Sequence, residues 1–285
     1  VQVDLRTIKT KGDKILDAPL ATIGGKGLFT KEIEDALLEG TTDLAVHSLK
    51  DLPTELPAGL TLAAIMERED PRDVFISRDG RALDELGPGA RIGTSSLRRR
   101  AFLLNRYPGL DVISIRGNVD TRLRKIETEN LAGIMLAAAG IIRMGFADRI
   151  TAFLEPDTMI PAIGQGALAL EIREGDPVTR AIVDELNHAG TAEAVRIERA
   201  FLQRMGGGCQ VPMAAHCIAD RDGIQVVAAV AHPDGNPVVR TSYSGPDRDP
   251  GIGSRLADEL IGRGADEILK SVLPDWEPGP VVDII

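Results

Sequence analysis

Arg91-Ile92-Gly93-Thr94-Ser95-Ser96-Leu97-Arg98-Arg99 carries a short apolar strand through a polar turn into a helix within nine residues. A helix start is expected near Ser96, where free backbone N–H groups and the helix dipole already favour anions. The succession repeats on both sides. Val74-Phe75-Ile76-Ser77 reads as a strand, Val112-Ile113-Ser114-Ile115 as a strand before a helix starting near Val119, and Gly133-Ile134-Met135-Leu136 as a strand before a helix starting near Ala138. Strands alternating with helices predict an α/β domain on a parallel sheet.

Working outward toward the N-terminus, Glu67-Arg68-Glu69-Asp70-Pro71-Arg72 reads as a crossover from another domain, and Leu60 to Ile65 as a strand of that domain. Asp43-Leu44-Ala45-Val46 is a further strand, with His47, Ser48, Lys50 and Asp51 at its carboxyl end. Ligands of open α/β sheets sit beyond such ends, which favours a functional role for Asp51. Phe29, Ile33, Leu37 and Leu38 mark one face of a helix closed by Gly40, Lys11 to Lys26 reads as a long functional loop, and the alternation Val1-Gln2-Val3-Asp4-Leu5 predicts a half-buried strand.

Toward the C-terminus, Ala167 to Ile172 is strand-like, and a helix from about Thr191 carries Ala194, Ile197, Ala200 and Phe201 toward Cys209. Strands Ile224 to Ala231 and Pro237 to Ser244 flank the turn signal Pro233-Asp234-Gly235-Asn236, and a last helix runs through Leu256, Leu260 and Ile268. This end has an α+β pattern.

Net charge of -10 disfavours nucleic acid and anionic membrane over most of the surface. Local charge runs the other way. From Arg91 to Lys125 nine basic residues stand against Asp111 and Asp120, a focused site for a small polyanion or else a solvated helix face. With 3% aromatics, a nucleic-acid track is not expected. Two cysteines and four scattered histidines predict neither a disulfide framework nor a metal site. Gly24-Gly25-Lys26-Gly27-Leu28-Phe29 lacks the spacing of a phosphate loop.

Gly206-Gly207-Gly208-Cys209-Gln210-Val211-Pro212 sets a thiol on a backbone without Cβ crowding, open to a bulky group. From these residues alone Cys209 is either an attachment point or a compact residue after a helix C-cap. Cys217 has no such approach and reads as structural.

Taken in order, His47-Ser48-Leu49-Lys50-Asp51-Leu52-Pro53, Gly93-Thr94-Ser95-Ser96-Leu97-Arg98-Arg99, Arg116-Gly117-Asn118-Val119 with Thr121-Arg122-Leu123, Gly164-Gln165-Gly166-Ala167 and Gly207-Gly208-Cys209-Gln210-Val211-Pro212 resemble the porphobilinogen deaminases, or hydroxymethylbilane synthases. The resemblance extends from about residue 1 to about residue 270. It implies two βα domains like type II periplasmic binding proteins, joined by a double crossover, with a small α+β third domain. The implied bounds are 1–66 with 167–186, 72–160, and 189–285.

It further implies a cytoplasmic, monomeric transferase that deaminates porphobilinogen and joins the units head to tail into hydroxymethylbilane, passed to the next enzyme of the tetrapyrrole pathway. Growth occurs on a dipyrromethane cofactor in thioether linkage to Cys209. Asp51 is implied as the catalytic carboxylate. Arg98, Arg99, Arg116, Arg122 and Arg143 are implied to bind carboxylate arms, assisted by Ser48, Lys50, Thr94, Ser95, Ser96, Gly117, Asn118 and Gln165, with Lys26 and Phe29 on a mobile active-site loop. Arg100 and Arg124 fall outside these matches and are expected to be solvated. Thr22 departs from a lysine of some relatives. An opening βα unit of the family has no counterpart here, so a longer natural N-terminus is expected. A two-domain small-anion-binding module would share the cleft arginines, but it needs no thiol among glycines.

Overall fold

The computed structural model describes residues 2–14, 30–207 and 211–280. Its strands are β1 (Leu44–Ser48), β2 (Leu60–Ile65), β3 (Asp73–Ser77), β4 (Arg91–Gly93), β5 (Asp111–Ile113), β6 (Gly133–Ala137), β7 (Ala152–Leu154), β8 (Leu168–Arg173), β9 (Met213–Ala219), β10 (Ile224–Ala231) and β11 (Val238–Gly245). They form three sheets, in the orders β1-β8-β2, β5-β4-β6-β3-β7 and β11-β10-β9.

The predicted βα succession is present, with helices at Leu97–Arg106, Val119–Thr128 and Ala138–Arg143. The expectation of a wholly parallel sheet needs correction. β4 is parallel to β5 and β6, whereas β3 is antiparallel to β6 and β7, and β8 is antiparallel to β1 and β2. The cause is connectivity: β3 and β8 enter their sheets from the other sheet along crossovers, and only a helical return over the same sheet imposes a parallel neighbour. The two crossovers, residues 66–72 and 155–167, run side by side, with Glu69 N donating to Gly166 O at 3.2 Å.

The opening alternation does not form a strand. Residues 2–7 are irregular and exposed, Leu5 at 97%, because five alternating residues make a strand only beside a ladder partner, and none among the described residues pairs with them. Lys11–Lys14 is a short helix; the remainder of the expected loop lies outside the described residues.

The helix Lys31–Leu38 follows, with Gly40 in the left-handed region just after it, as its sequence predicts. The last helix is two, Gly251–Leu260 and Asp266–Val272, divided at Gly264 with φ of 93°.

Packing ties the second and third sheets together. Ala214, Ala229 and Ala231 join a core with Phe75, Ile92, Phe102 and Met135, so the small face of β9 and β10 lets the second unit approach closely. The third unit has its own core on the other face of that sheet, including Phe201, Val226, Leu260 and Trp276. Burial of an aromatic such as Phe75 or Phe201 contributes about 1.5–3 kcal/mol each. The first sheet packs through Leu49, Leu52, Ile65 and Ala169 onto Ala192 and Val195 of the helix Ala189–Arg204. That helix therefore braces the carboxyl end of β1.

Candidate active site

At the end of β1 the chain makes a 3-10 turn, Leu49–Asp51. Leu49 and Leu52 are buried and pin the turn, while Ser48 and Lys50 are half-buried and Asp51 is exposed. This inward and outward division leaves the Asp51 carboxylate exposed, within reach of the charges of Lys50 and Arg122.

The opposite wall is the start of the helix Leu97–Arg106. Ser96 caps it by accepting from Arg99 N at 3.3 Å, and Thr94 accepts from Ser96 N at 3.3 Å. A hydroxyl that accepts retains its own hydrogen to donate, so both roles leave capacity for a ligand.

Arg98 and Arg99 turn inward, 4% and 6% exposed, onto Asp73 at the first residue of β3. Arg98 Nη1 donates to Asp73 Oδ2 and to Ile160 O, both at 2.6 Å, and Arg99 Nε donates to Asp73 Oδ1 at 2.9 Å. Burial works against the charge of Asp73, yet the two guanidiniums hold it well below the usual carboxylate range.

Gln165, on the returning crossover, bridges the walls. Its Nε2 donates to Asp73 Oδ1 at 2.9 Å and Pro71 O at 2.7 Å, while its Oε1 accepts from Arg99 Nη2 at 3.4 Å and Lys50 Nζ at 3.5 Å. The neighbouring Gly166 O accepts from Arg143 Nη2 at 2.9 Å.

Arg122 completes the basic wall. Its Nε donates to Gly117 O at 2.7 Å, and Asn118 caps the helix Val119–Thr128 by accepting from Thr121 N at 2.9 Å. Gly117 is required here: its φ is 113°, and a Cβ would lie 2.6 Å from Thr121 Cγ2. Burial, then the charges of Arg99 and Arg116, lower the pKa of Arg122; burial also lowers Lys50, opposed by Asp51 and aided by Arg99. Among the described residues this neighbourhood sets Lys50, Arg98, Arg99 and Arg122 against Asp51 and Asp73, with Arg116 adjoining Arg122. Such an excess of positive charge in a half-buried cleft suits a ligand with several carboxylates.

Two residues of this architecture escape the sequence reading. Asp73 opens β3 just before the apolar run Val74–Ile76 and was hidden beside the charged crossover. Glu198 lies on the buried stripe of its helix, between Ala194 and Phe201, and a charge on such a stripe is the signal that could have found it. It accepts from Arg68 Nη1 at 2.6 Å, Gly164 N at 2.7 Å and Cys217 N at 2.8 Å, with His216 Nδ1 at 3.3 Å. One side chain thus joins both crossovers to β9. Burial opposes its charge, but Arg68 and His216 bring its pKa down to about 2.

Arg100 corrects an expectation of solvation. It donates to Val112 O at 3.1 Å and Pro233 O at 3.2 Å, and reaches Asp234 Oδ1 at 3.5 Å, because the β10–β11 turn docks on its helix. Arg124 is exposed as expected. Cys217 is free and buried, its thiol pushed up to about 12 by burial and then by Glu198, which fits a structural role. Lys26, Phe29 and Cys209 lie outside the described residues; Gly206 and Gly207, which lead to Cys209, follow the end of the helix Ala189–Arg204.

Comparison with known proteins matches residues 1–181 to the family described as "Porphobilinogen deaminase, dipyromethane cofactor binding domain" and residues 192–262 to its C-terminal domain. The porphobilinogen deaminase of Syntrophotalea carbinolica is 53% identical over 283 residues, covering 99% of this chain and 89% of the relative. That of Geobacter sulfurreducens is 53% identical over 95% of this chain and 86% of the relative. Among solved structures, a YaeC-family lipoprotein from Enterococcus faecalis aligns with a TM-score of 0.36 at 14% identity, over 56% of this chain and 76% of that one. A TRAP periplasmic solute binding protein from Desulfovibrio salexigens gives 0.36 at 12%, over 56% and 59%. These two likenesses are too distant to add to the topology itself.

Proposed function

The chain belongs to the porphobilinogen deaminase family, and from that premise we propose how its own residues carry out the reaction. The enzyme is a transferase that joins porphobilinogen units head to tail with release of ammonia, on a dipyrromethane cofactor, giving hydroxymethylbilane. The observation that carries the site assignment is the cluster in which Lys50, Arg98, Arg99 and Arg122 outnumber Asp51 and Asp73 among the described residues. That charge imbalance fits a cofactor and substrate bearing acetate and propionate arms, whereas it would be costly left without anions.

In this assignment Arg98, Arg99, Arg116, Arg122 and Arg143, with Ser48, Thr94, Ser95, Ser96, Asn118 and Gln165, bind carboxylate arms and orient the pyrroles. The cofactor supplies the pyrrole end on which growth takes place. Asp51, on its pinned turn, accepts the pyrrole N–H of the incoming porphobilinogen and stabilises positive charge as the C–N bond of the aminomethyl group breaks and ammonia leaves. Its exposure leaves the carboxylate open to the incoming substrate. Cys209 is assigned the thioether, and Lys26 and Phe29 the covering loop. We assign the domains as 1–66 with 167–186, 72–160 and 189–285, a division that the three separate sheets support. We place the enzyme in the cytoplasm as a monomer that hands its product onward, a compartment that keeps a nucleophilic thiol reduced.

Intact-mass measurement and single-turnover kinetics test the assignment together. Cys209→Ala is expected to abolish the covalent adduct while Cys217→Ala retains it. Asp51→Ala should keep the adduct-bearing fold and lose turnover by about 100-fold or more, with a smaller effect on substrate binding. An adduct on Cys209→Ala, or near-normal turnover in Asp51→Ala, would overturn the corresponding role.

A further inference from the structure

The helix Ala189–Arg204 ends directly before the glycine run, and its last carbonyl groups need partners. Leu202 O accepts from Gly207 N at 2.8 Å and Gln203 O from Gly206 N at 3.0 Å. These bonds form the glycine turn, with φ of 78° at Gly206 and 59° at Gly207. The next two carbonyls are satisfied from the far end of the chain. Arg204 O accepts from Gly279 N at 3.0 Å, and Met205 O accepts from the indole Nε1 of Trp276 at 3.0 Å.

The segment Trp276–Gly279 lies tightly against the turn. A Cβ on Gly206 would come within 2.6 Å of Glu277 O, and one on Gly279 within 2.0 Å of Gln203 O. Arg204 Nη1 returns a hydrogen bond to Gly279 O at 2.6 Å while its Nε holds Asp258 at 2.7 Å. Trp276 is 7% exposed and packs in the same core as Met205 and Phe201. Half of the helix terminus is therefore built by the glycine turn and half by a segment about 70 residues later.

We propose that Trp276–Gly279 is a strap that positions the turn leading to Cys209, with Trp276 as its anchor and a positioning residue for cofactor attachment. The inference rests on the assignment of Cys209 as the attachment thiol. Gly207 stands two residues before that thiol, so releasing the turn multiplies the directions the thiol samples and lowers the fraction aimed at the incoming carbon. The strap acts on loading. Once the thioether has formed, the pyrroles are held by the arginine wall, and the demand on the turn falls.

The test follows loading rather than activity. Full-length protein prepared without cofactor is mixed with porphobilinogen, and the mass gain on Cys209 is timed by intact-protein mass spectrometry for wild type, Trp276→Phe, Trp276→Ala and Gly206→Ala. Trp276→Phe keeps an aromatic ring but removes the N–H donor together with part of the indole's bulk, a packing loss for which Ile268→Val is the control. We expect loading to slow by about tenfold in Trp276→Phe and more in Trp276→Ala. Ile268→Val, in the same core, should load at the wild-type rate even where its melting temperature falls equally. Loading of Trp276→Phe and Trp276→Ala at the rate of Ile268→Val would overturn the strap alone. An adduct that forms on Cys209→Ala would overturn the attachment assignment, and the strap with it.

Discussion

Asp73 and Glu198 are both fully buried carboxylates held by arginine, yet they sit in opposite electrostatic situations. Glu198 is balanced: Arg68 supplies the cation, and Gly164 N and Cys217 N supply neutral donors. Asp73 is outnumbered: Arg98 and Arg99 share it, with Lys50 and Arg122 close enough to feel the same charges. The balanced group joins crossovers to the third unit and asks nothing of a ligand. Beside the outnumbered one lies the cleft that does. Net local charge, more than burial or a shifted pKa, separates scaffold from binding site here.

Neutralising each carboxylate has the largest expected effect. Glu198→Gln and Asp73→Asn each strand a buried guanidinium, and each should lower unfolding free energy by about 3–5 kcal/mol in urea. What should differ is rescue. Added citrate, a polycarboxylate, should raise the melting temperature of cofactor-free Asp73→Asn by a few degrees more than that of cofactor-free wild type, because the released arginines join the folded cleft, whereas Glu198→Gln should respond as wild type does. Equal response of the two variants to citrate would erase the distinction.

Acid offers a sharper version. The pKa of Glu198 is about 2 in the folded protein against an ordinary 4.5, so its stabilisation is fully present above about pH 4.5 and is lost as pH falls toward about 2. The stability gap between wild type and Glu198→Gln, about 3 kcal/mol from that shift, should therefore be constant from pH 7 to 5 and narrow progressively below. Urea midpoints taken across this range check it; a gap that widens on acidification would show that the carboxylate is not held ionised by Arg68.

Most of the fold was legible because periodicity and helix starts are local: Ser96 and Asn118 cap the helices expected near them, and β2, β4 and β10 fall where their apolar runs lie. Strand direction was not legible. β3 and β8 owe their antiparallel pairing to the two crossovers, which are long-range facts of connectivity. For the site, motif order pointed to Asp51, the arginines and Gln165, while the buried carboxylate that Arg98 and Arg99 hold stayed hidden. Nothing in the local pattern says that Asp73, rather than a ligand, receives Arg98 and Arg99, or that Glu198 reaches Arg68 across 130 positions. The exposed opening segment shows the opposite failure, a correct local pattern with no neighbour to complete it.

The smallest expected effect concerns charges outside the cleft. Arg100 leaves the basic wall and reaches the β10–β11 turn, where it holds Pro233 O and Asp234, while Asn105 Nδ2 donates to Gly235 O at 2.9 Å. Its side chain is 36% exposed and its carboxylate partner 72%, so solvent screens the ion pair, and the two carbonyl contacts carry most of its value. Arg100→Leu should cost about 1 kcal/mol and Arg124→Leu, on an exposed face, less than about 0.5. Neither should change the rate of cofactor loading, because neither charge faces Asp51 or Asp73 directly. A double-mutant cycle with Asp234→Ala isolates the ion pair, for which we expect a coupling under about 1 kcal/mol. If Arg100→Leu slowed loading as much as Arg99→Leu, the basic wall would extend along the whole helix face, and the division between outnumbered cleft and balanced scaffold would have to be redrawn around the β10–β11 turn.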